Sequence, residues 1–347
     1  MSQYTISQVR EGDTRTLNQV DQLLYNEGIR RDKNLDYTCV MYDEDYQVIA
    51  TGSCFKNTLR CFAVRSDHQG EGLLNEIISF LLEIQFERGN THLFLYTKVK
   101  SAPFFRDLGF YEIARVDKTM VFMENRKNGF ADYLKKLSLK ETNGKNAAIV
   151  MNANPFTLGH RYLVERAASE NDFVHVFILS EDASLVPFPV RKMLVERGTS
   201  HLPNVICHES GPYMISNATF PSYFLKDADE VIEAHAKLDI EVFSKIAESL
   251  SIQCRYVGEE PFSRVTSLYN EVMKNDLPQK GISCEVIHRT SVDSNPISAS
   301  AVRQAIKEED WELLSKLVPE STYHYFRSLD GACVVERIKK TDNVIHY

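Results

Sequence analysis

A strand-like run, Ala147-Ala-Ile-Val-Met151, feeds directly into Asn152-Ala-Asn-Pro-Phe-Thr-Leu-Gly-His160, where helical spacing begins. Pro155 fixes a bend, Gly159 permits close backbone approach, and a helix N-terminus offers free N–H groups with positive partial charge. A triphosphate fits such a corner, and Asn152, Asn154, Pro155, Phe156 and Gly159 are its candidate binding residues. Thr157 and His160 stand three residues apart, so both can face the anion from the first helical turn. An imidazole there can donate to an α-phosphate and to the bridging oxygen as pyrophosphate departs. Taken alone, His160 reads better as a capping or buried histidine.

A second segment changes that balance. Asn295-Pro-Ile-Ser-Ala-Ser-Ala-Val-Arg303 opens another helix. After Ile297, Ser298 and Ser300 supply hydroxyls and N-terminal amides, and Arg303 lies one turn on, placed for phosphate. A capped helix with a surface arginine is the plainer alternative. Gly258 and Glu259, at the end of a strand, are expected near a nucleoside, or else form a simple turn.

The elements that must position these residues alternate along the chain. Strands are expected at Ala147–Met151, Val174–Ser180, Asn204–His208, Gln253–Gly258 and Cys284–His288, with helices over Gly159–Ser169, Val190–Arg197 and Ser298–Lys307. Such alternation predicts a doubly wound parallel sheet, with ligands beyond the C-terminal ends of its strands. In the front half, Tyr37 to Val48 and onward predicts a hairpin around an acidic turn, followed by a strand at Leu59–Val64 and a helix over Leu73–Glu87. A strand at His92–Thr97 and a short helix at Ala102–Asp107 complete this half. The charged stretch Glu124–Lys145, with one helix at Gly129–Leu137, is the expected connection. The domains are therefore placed at 1–128 and 146–347, joined by 129–145.

Composition sets the outer limits. A chain of 347 residues with 43% hydrophobic content has material for two cores. A net charge of -8 argues against nucleic-acid binding through a broad basic surface, but leaves room for a local cationic pocket. Seven scattered cysteines without C-x-x-C spacing point to reduced thiols rather than disulfides or zinc. With no signal-like N-terminus and no apolar run near the roughly 20 residues that span a bilayer, the expectation is a cytoplasmic protein without a membrane partner.

The two segments together resemble the (T/H)-x-G-H and I-S-S-T-x-x-R signatures of the nucleotidyltransferase superfamily, here Thr157-Leu-Gly-His160 and Ile297-Ser-Ala-Ser-Ala-Val-Arg303. By that resemblance His160 and Thr157 bind and activate the triphosphate of ATP, while Ser298, Ser300 and Arg303 close over its β- and γ-phosphates. In front, Phe62-Ala-Val-Arg-Ser-Asp-His-Gln-Gly-Glu-Gly-Leu-Leu-Asn75 and Pro103-Phe-Phe-Arg-Asp-Leu-Gly-Phe-Tyr111 look like GNAT acetyltransferases. Backbone amides from Gln69 through Gly70 and Gly72 to Leu73 are the candidate cradle for a CoA-like pyrophosphate. Asp67 stands where that family has Gln or Arg.

Pro187–Gly198, Pro221–Lys226 and Tyr256–Phe262, together with the acetyltransferase-like front, resemble the citrate lyase ligase family over essentially the whole chain. That implies activation of acetate by ATP with Mg2+, with no protein ligand assigned to the metal. Acetyl transfer follows, to the dephospho-CoA-type thiol of the citrate lyase acyl-carrier subunit. Arg191, Lys192 and Lys226 are candidate cations for phosphate or acetate, or ordinary surface charge. Two alternatives stay open: an adenylyltransferase for a mononucleotide or phosphopantetheine, and a non-catalytic nucleotide-binding adaptor.

Overall fold

β-Branched and aromatic runs in the first third of the chain form β1 (Ile6–Gln8), β2 (Tyr37–Tyr42), β3 (Val48–Phe55), β4 (Thr58–Val64), β5 (Phe94–Thr97), β6 (Tyr111–Val116) and β7 (Met120–Glu124). A computed structural model of the protein describes residues 4–180, 184–214, 220, 228–259, 264–289, 291–292 and 295–344. Its contacts divide into two units, residues 1–132 with 220–238 and residues 133–219 with 239–347.

In the first unit the strands make one sheet in the order β1-β2-β3-β4-β5-β7-β6. The acidic turn after Tyr42 joins β2 antiparallel to β3, as its sequence predicts. β4 and β5 are parallel and pair only at Thr58–Phe94 and Leu59–Leu95. Where that pairing stops, an apolar slot of about 320 Å³ lies among Phe62, Tyr96 and Phe105. Helices α1 (Thr14–Asn26), α2 (Leu73–Glu87) and α3 (Ala102–Asp107) complete this part of the unit. α2 buries Leu73, Ile77, Ile78 and Leu81 in a core shared with the sheet. Gly52 of β3 makes that packing possible: a Cβ there would come within 2.5 Å of the Ile77 side chain and 2.9 Å of Phe62.

α4 (Gly129–Ser138) leads to the second sheet, β8 (Asn146–Met151), β9 (Phe173–Ile178), β10 (Val205–Glu209), β11 (Ile252–Gly258) and β12 (Ser283–Ile287). All neighbours are parallel and the order is β10-β9-β8-β11-β12. The chain reverses direction across the sheet between β8 and β11, the switch point where such folds open a crevice. Around it run α5 (Leu158–Glu170), α6 (Phe188–Gly198), α7 (Ala228–Ser249), α8 (Arg264–Asp276) and α9 (Ala299–Lys307). The short helices α10 (Trp311–Leu317), α11 (Glu320–Arg327) and α12 (Ala332–Lys340) close the chain. Residues 228–238 of α7 belong to the first unit and the rest to the second. Among the described residues no helix is long and apolar enough to cross a membrane.

One polar pair sits deep in the second sheet. His175 of β9 and His208 of β10 are 0% and 3% exposed, and their rings share a hydrogen bond of 2.9 Å between Nδ1 and Nε2. That bond needs one ring nitrogen as donor and the other as acceptor, so both imidazoles are accommodated neutral. Burial first, and then Lys140, holds His175 well below the usual histidine range; burial and then His175 itself do the same for His208. The unfolded chain therefore takes up protons that the folded chain refuses, and stability falls as pH drops below the ordinary histidine value of about 6.5. Thermal melts between pH 8 and 5 should show this loss, with a flatter slope in the His175→Phe/His208→Phe variant; equal slopes would remove the pair as the cause.

Candidate active site

The corner after β8 contains backbone that no regular element can satisfy. Ala153 sits at φ +50°, the Asn154–Pro155 peptide is cis, and the carbonyls of Asn152 and Asn154 point away from any strand partner. Two buried arginines supply the donors. Arg191 Nη1 donates to the Asn152 and Leu179 carbonyls at 2.8 Å each, and its Nε to Val186 at 3.0 Å. Arg303 Nη1 donates to the Asn154 carbonyl at 2.6 Å and its Nε to Val344 at 2.6 Å. Asn154 Oδ1 accepts from the Val186 amide at 3.0 Å, while its buried Nδ2 has no partner among the described residues.

Thr157 caps α5 with φ −116° and ψ 169°. Its Oγ1 accepts from the His160 amide at 3.2 Å, and His160 Nδ1 accepts from the Thr157 amide at 3.1 Å. An amide has only one way to bond, so Nδ1 is unprotonated and the ring proton sits on Nε2. The Thr157 hydroxyl, 2.9 Å from the same Nδ1, then donates to it. Burial, and secondarily the charge of Arg289, lowers the His160 pKa to about 4. The imidazole is thus a neutral donor at the mouth of a helix whose first amides remain open.

Ser298 caps α9 in the same manner, accepting from the Ala301 amide at 3.0 Å and lying 2.9 Å from the Ser300 hydroxyl. Ile297 seats this segment against α5, since a Cβ on Gly159 would stand 3.4 Å from the Ile297 carbonyl oxygen. Both helix starts line one cavity of about 500 Å³, which also touches the C-terminal ends of β8 and β11 at Met151 and Gly258. Asn152, Asn154, Thr157, Gly159, His160, Gly258, Ile297, Ser298, Ser300 and Arg303 all face it.

Other expected residues stand elsewhere. Phe156 is fully buried, stacked on His160 at 5.8 Å and packed where a Gly198 side chain would be, so it supports the histidine from the core. Pro155 is likewise buried behind the cavity wall. Arg191, 0% exposed, is a brace for the corner rather than a cation for a ligand. Lys192 is a surface partner of Glu209 at 2.7 Å. The Glu259 carboxylate pairs with exposed His288 at 2.7 Å rather than lining the cavity. Lys226 and residues 260–263 lie outside the described residues.

Sequence reasoning missed two features of this cavity. Arg289 lines it just beyond β12, its Nε bonded to the Glu259 carbonyl at 2.8 Å. Arg255 of β11 also lines it, paired at 2.6 Å with Asp239, both side chains only 4% exposed, and flanked by Tyr269. A lone arginine inside the apolar run Gln253–Gly258 was the available signal. Among the described residues no group of three or more His, Cys, Asp or Glu is placed to hold a metal ion.

In the first unit, Gly70 and Gly72 take φ +93° and +82°, and the space beside each is open. Gln69 is exposed, donating to Glu27 and the Val64 carbonyl at 3.3 Å, and Leu73 packs in the core. Asp67 is held by Arg65 at 2.8 Å, which lowers its pKa and offsets its charge beside the loop.

Residues 6–110 match the acetyltransferase (GNAT) family, and residues 146–326 match the family described as citrate lyase ligase C-terminal domain. The protein is thus a ligase of two parts, a GNAT-like α/β unit followed by a doubly wound parallel-sheet unit that holds the cavity. The [Citrate [pro-3S]-lyase] ligase of Escherichia coli (strain K12) is 35% identical over 332 residues, covering 93% of this chain and 94% of its own length. That of Klebsiella pneumoniae is 37% identical over 296 residues, 84% and 86% of the two chains. The chain belongs to the citrate lyase ligase family. Among solved structures, Escherichia coli ElaA aligns with 35% of this chain and 99% of its own at 14% identity and a TM-score of 0.32. An acyl-CoA N-acyltransferase from Pseudomonas aeruginosa does so at 13% identity, the same coverage and a TM-score of 0.32.

Replacing Arg191 by Met takes this donor from the Asn152, Leu179 and Val186 carbonyls and should destabilise the protein by about 3 kcal/mol or more. A variant as stable as the native protein, but weak for nucleotide in a binding titration, would return Arg191 to the ligand site.

Proposed function

We propose that the second unit condenses acetate with ATP to acetyl-AMP and then acetylates the prosthetic-group thiol of the citrate lyase acyl-carrier subunit, activating that enzyme. The observation that carries this reading is the convergence of two capped helix N-termini on one cavity, with a neutral His160 whose Nε2 carries the proton. An acetate oxygen attacks the α-phosphorus, the bond to the β-phosphate oxygen breaks, and pyrophosphate leaves. Nε2–H donates to the oxygens that gain charge in that step, and the open amides of α5 and α9 hold the triphosphate. Ser298 and Ser300 add hydroxyls on the second side. Arg303 contributes its charge from beneath while fixing the Asn154 carbonyl. The carrier thiolate then attacks the acetyl carbon, the carbon–oxygen bond to AMP breaks, and AMP departs. Mg2+ bound with the nucleotide would neutralise triphosphate charge, and because no carboxylate among the described residues lines the cavity its ligands would be phosphate oxygens and water.

The first unit, in this reading, takes a CoA-like arm. The unobstructed glycine loop and the adjoining apolar slot support it. Calorimetry with dephospho-CoA should show saturable heat that Gly72→Val reduces; no heat at millimolar ligand would leave this unit a scaffold.

Pyrophosphate release from ATP tests the main reading directly. Release is expected with acetate and deacetylated citrate lyase; release only with nicotinate mononucleotide or phosphopantetheine would overturn it. His160→Ala should lower kcat by roughly 10²-fold or more. Because the free-enzyme pKa of His160 is about 4, its neutral donor form persists from pH 5 to 8. The kcat/KM profile should therefore carry no His160 inflection near 6.5, and one that His160→Gln abolishes would contradict the assignment.

A further inference from the structure

We propose that the first unit carries a second anion site, a lysine-lined cleft that takes the phosphate group of a small molecule. The cleft encloses about 660 Å³ between the segment after β5, the β6–β7 turn and the first turns of α7. Lys98, Lys100 and Lys118 enter it from the sheet side. Across it, α7 presents the carboxylates of Glu230 and Glu233, the latter paired with Lys237.

Among the described residues, four lysines thus line the cleft against two carboxylates. Lys98 is half-buried and donates only to the Gly28 carbonyl at 3.3 Å. Burial, and then the charge of Lys100 beside it, pushes its ammonium below the usual lysine range, opposed by Glu27. Exposed Lys100 brings a like charge beside half-buried Lys98, which raises the energy of the empty site, and an anion between them lowers it. Lys118 is presented from a turn residue at φ +63°, on the far side of the cleft from α7.

Lysine type decides the ligand class. Ammonium groups are compact point charges with three donors each, and they match the several oxygens of a tetrahedral phosphate. A carboxylate is met better by the planar fork of arginine, and among the described residues no arginine lines this cleft. Val99, Val116 and Ala234 give the rest of the molecule an apolar surface. Lys98 and Lys100 also edge the slot beside β5, whereas Lys118 belongs to the cleft alone. Lys118 therefore separates this site from a CoA-like one.

The test uses the full chain with reductively 13C-methylated lysines, titrated with inorganic pyrophosphate and, separately, citrate. Neither ATP nor turnover is needed, so the outcome is independent of the ligase reading. The methyl signals of Lys98, Lys100 and Lys118 should shift together with one Kd. Lys118→Glu should raise that Kd about 10-fold or more, Lys118→Arg should retain binding, and citrate should bind at least about 10-fold more weakly. If Lys118→Glu fails to fold, Lys100→Glu takes its place. No saturable shift at these three lysines, a Kd unchanged by the charge reversal, or tighter binding of citrate would each overturn the proposal.

Discussion

The corner between β8 and α5 can exist only because two buried guanidinium groups satisfy its carbonyls. Asn152 and Asn154 lie in backbone that belongs to neither strand nor helix, and Arg191 and Arg303 reach them from α6 and α9. Buried carbonyls left without donors would cost more than this turn could bear. The same bonds hold α9 against α5. Arg303 is therefore at once a structural tie and a cation that lines the cavity of the two capped helix starts. The separation of a motif into binding and packing residues does not apply to it.

From that scaffold the state of His160 follows. The Thr157 amide takes Nδ1 as acceptor, which leaves Nε2 protonated, and burial with Arg289 nearby keeps the ring neutral. A neutral donor can hydrogen-bond a phosphate without needing to be charged first, while Arg289 and Arg303 supply the positive field. Asp239, beside this wall, is consumed by Arg255. A chain with net charge -8 thus still brings cations to this cavity, because carbonyls draw Arg303 inward and the Glu259 carbonyl holds Arg289.

Much of the second sheet was legible because buried parallel strands are short apolar runs and each is followed by a helix. α5 and α9 announced themselves by Thr157 and Ser298, whose side chains cap their own helices. β6, β7, α7 and α8 were harder. Tyr111-Glu-Ile-Ala-Arg-Val116 mixes charge into a sheet-end strand, and α7 and α8 interleave acidic and apolar residues without a sharp start. Phe156 shows the opposite error: its place in the corner suggested a ligand, yet its ring is core.

The sequence by itself determined the chemistry that local spacing can carry. Thr157 and His160 are one turn apart, so their mutual bonds are set wherever that helix forms, and Ser298 behaves likewise. Only the tertiary structure decided which cations meet the cavity. Arg255 lies on β11, Arg289 just beyond β12 and Arg303 on α9, while Arg191 of α6 serves the corner behind them, and an arginine's side chain is long enough to serve a carbonyl, a carboxylate or a ligand. Which of these it serves depends on the unsatisfied groups brought within reach by folding, and those groups are distant in the chain.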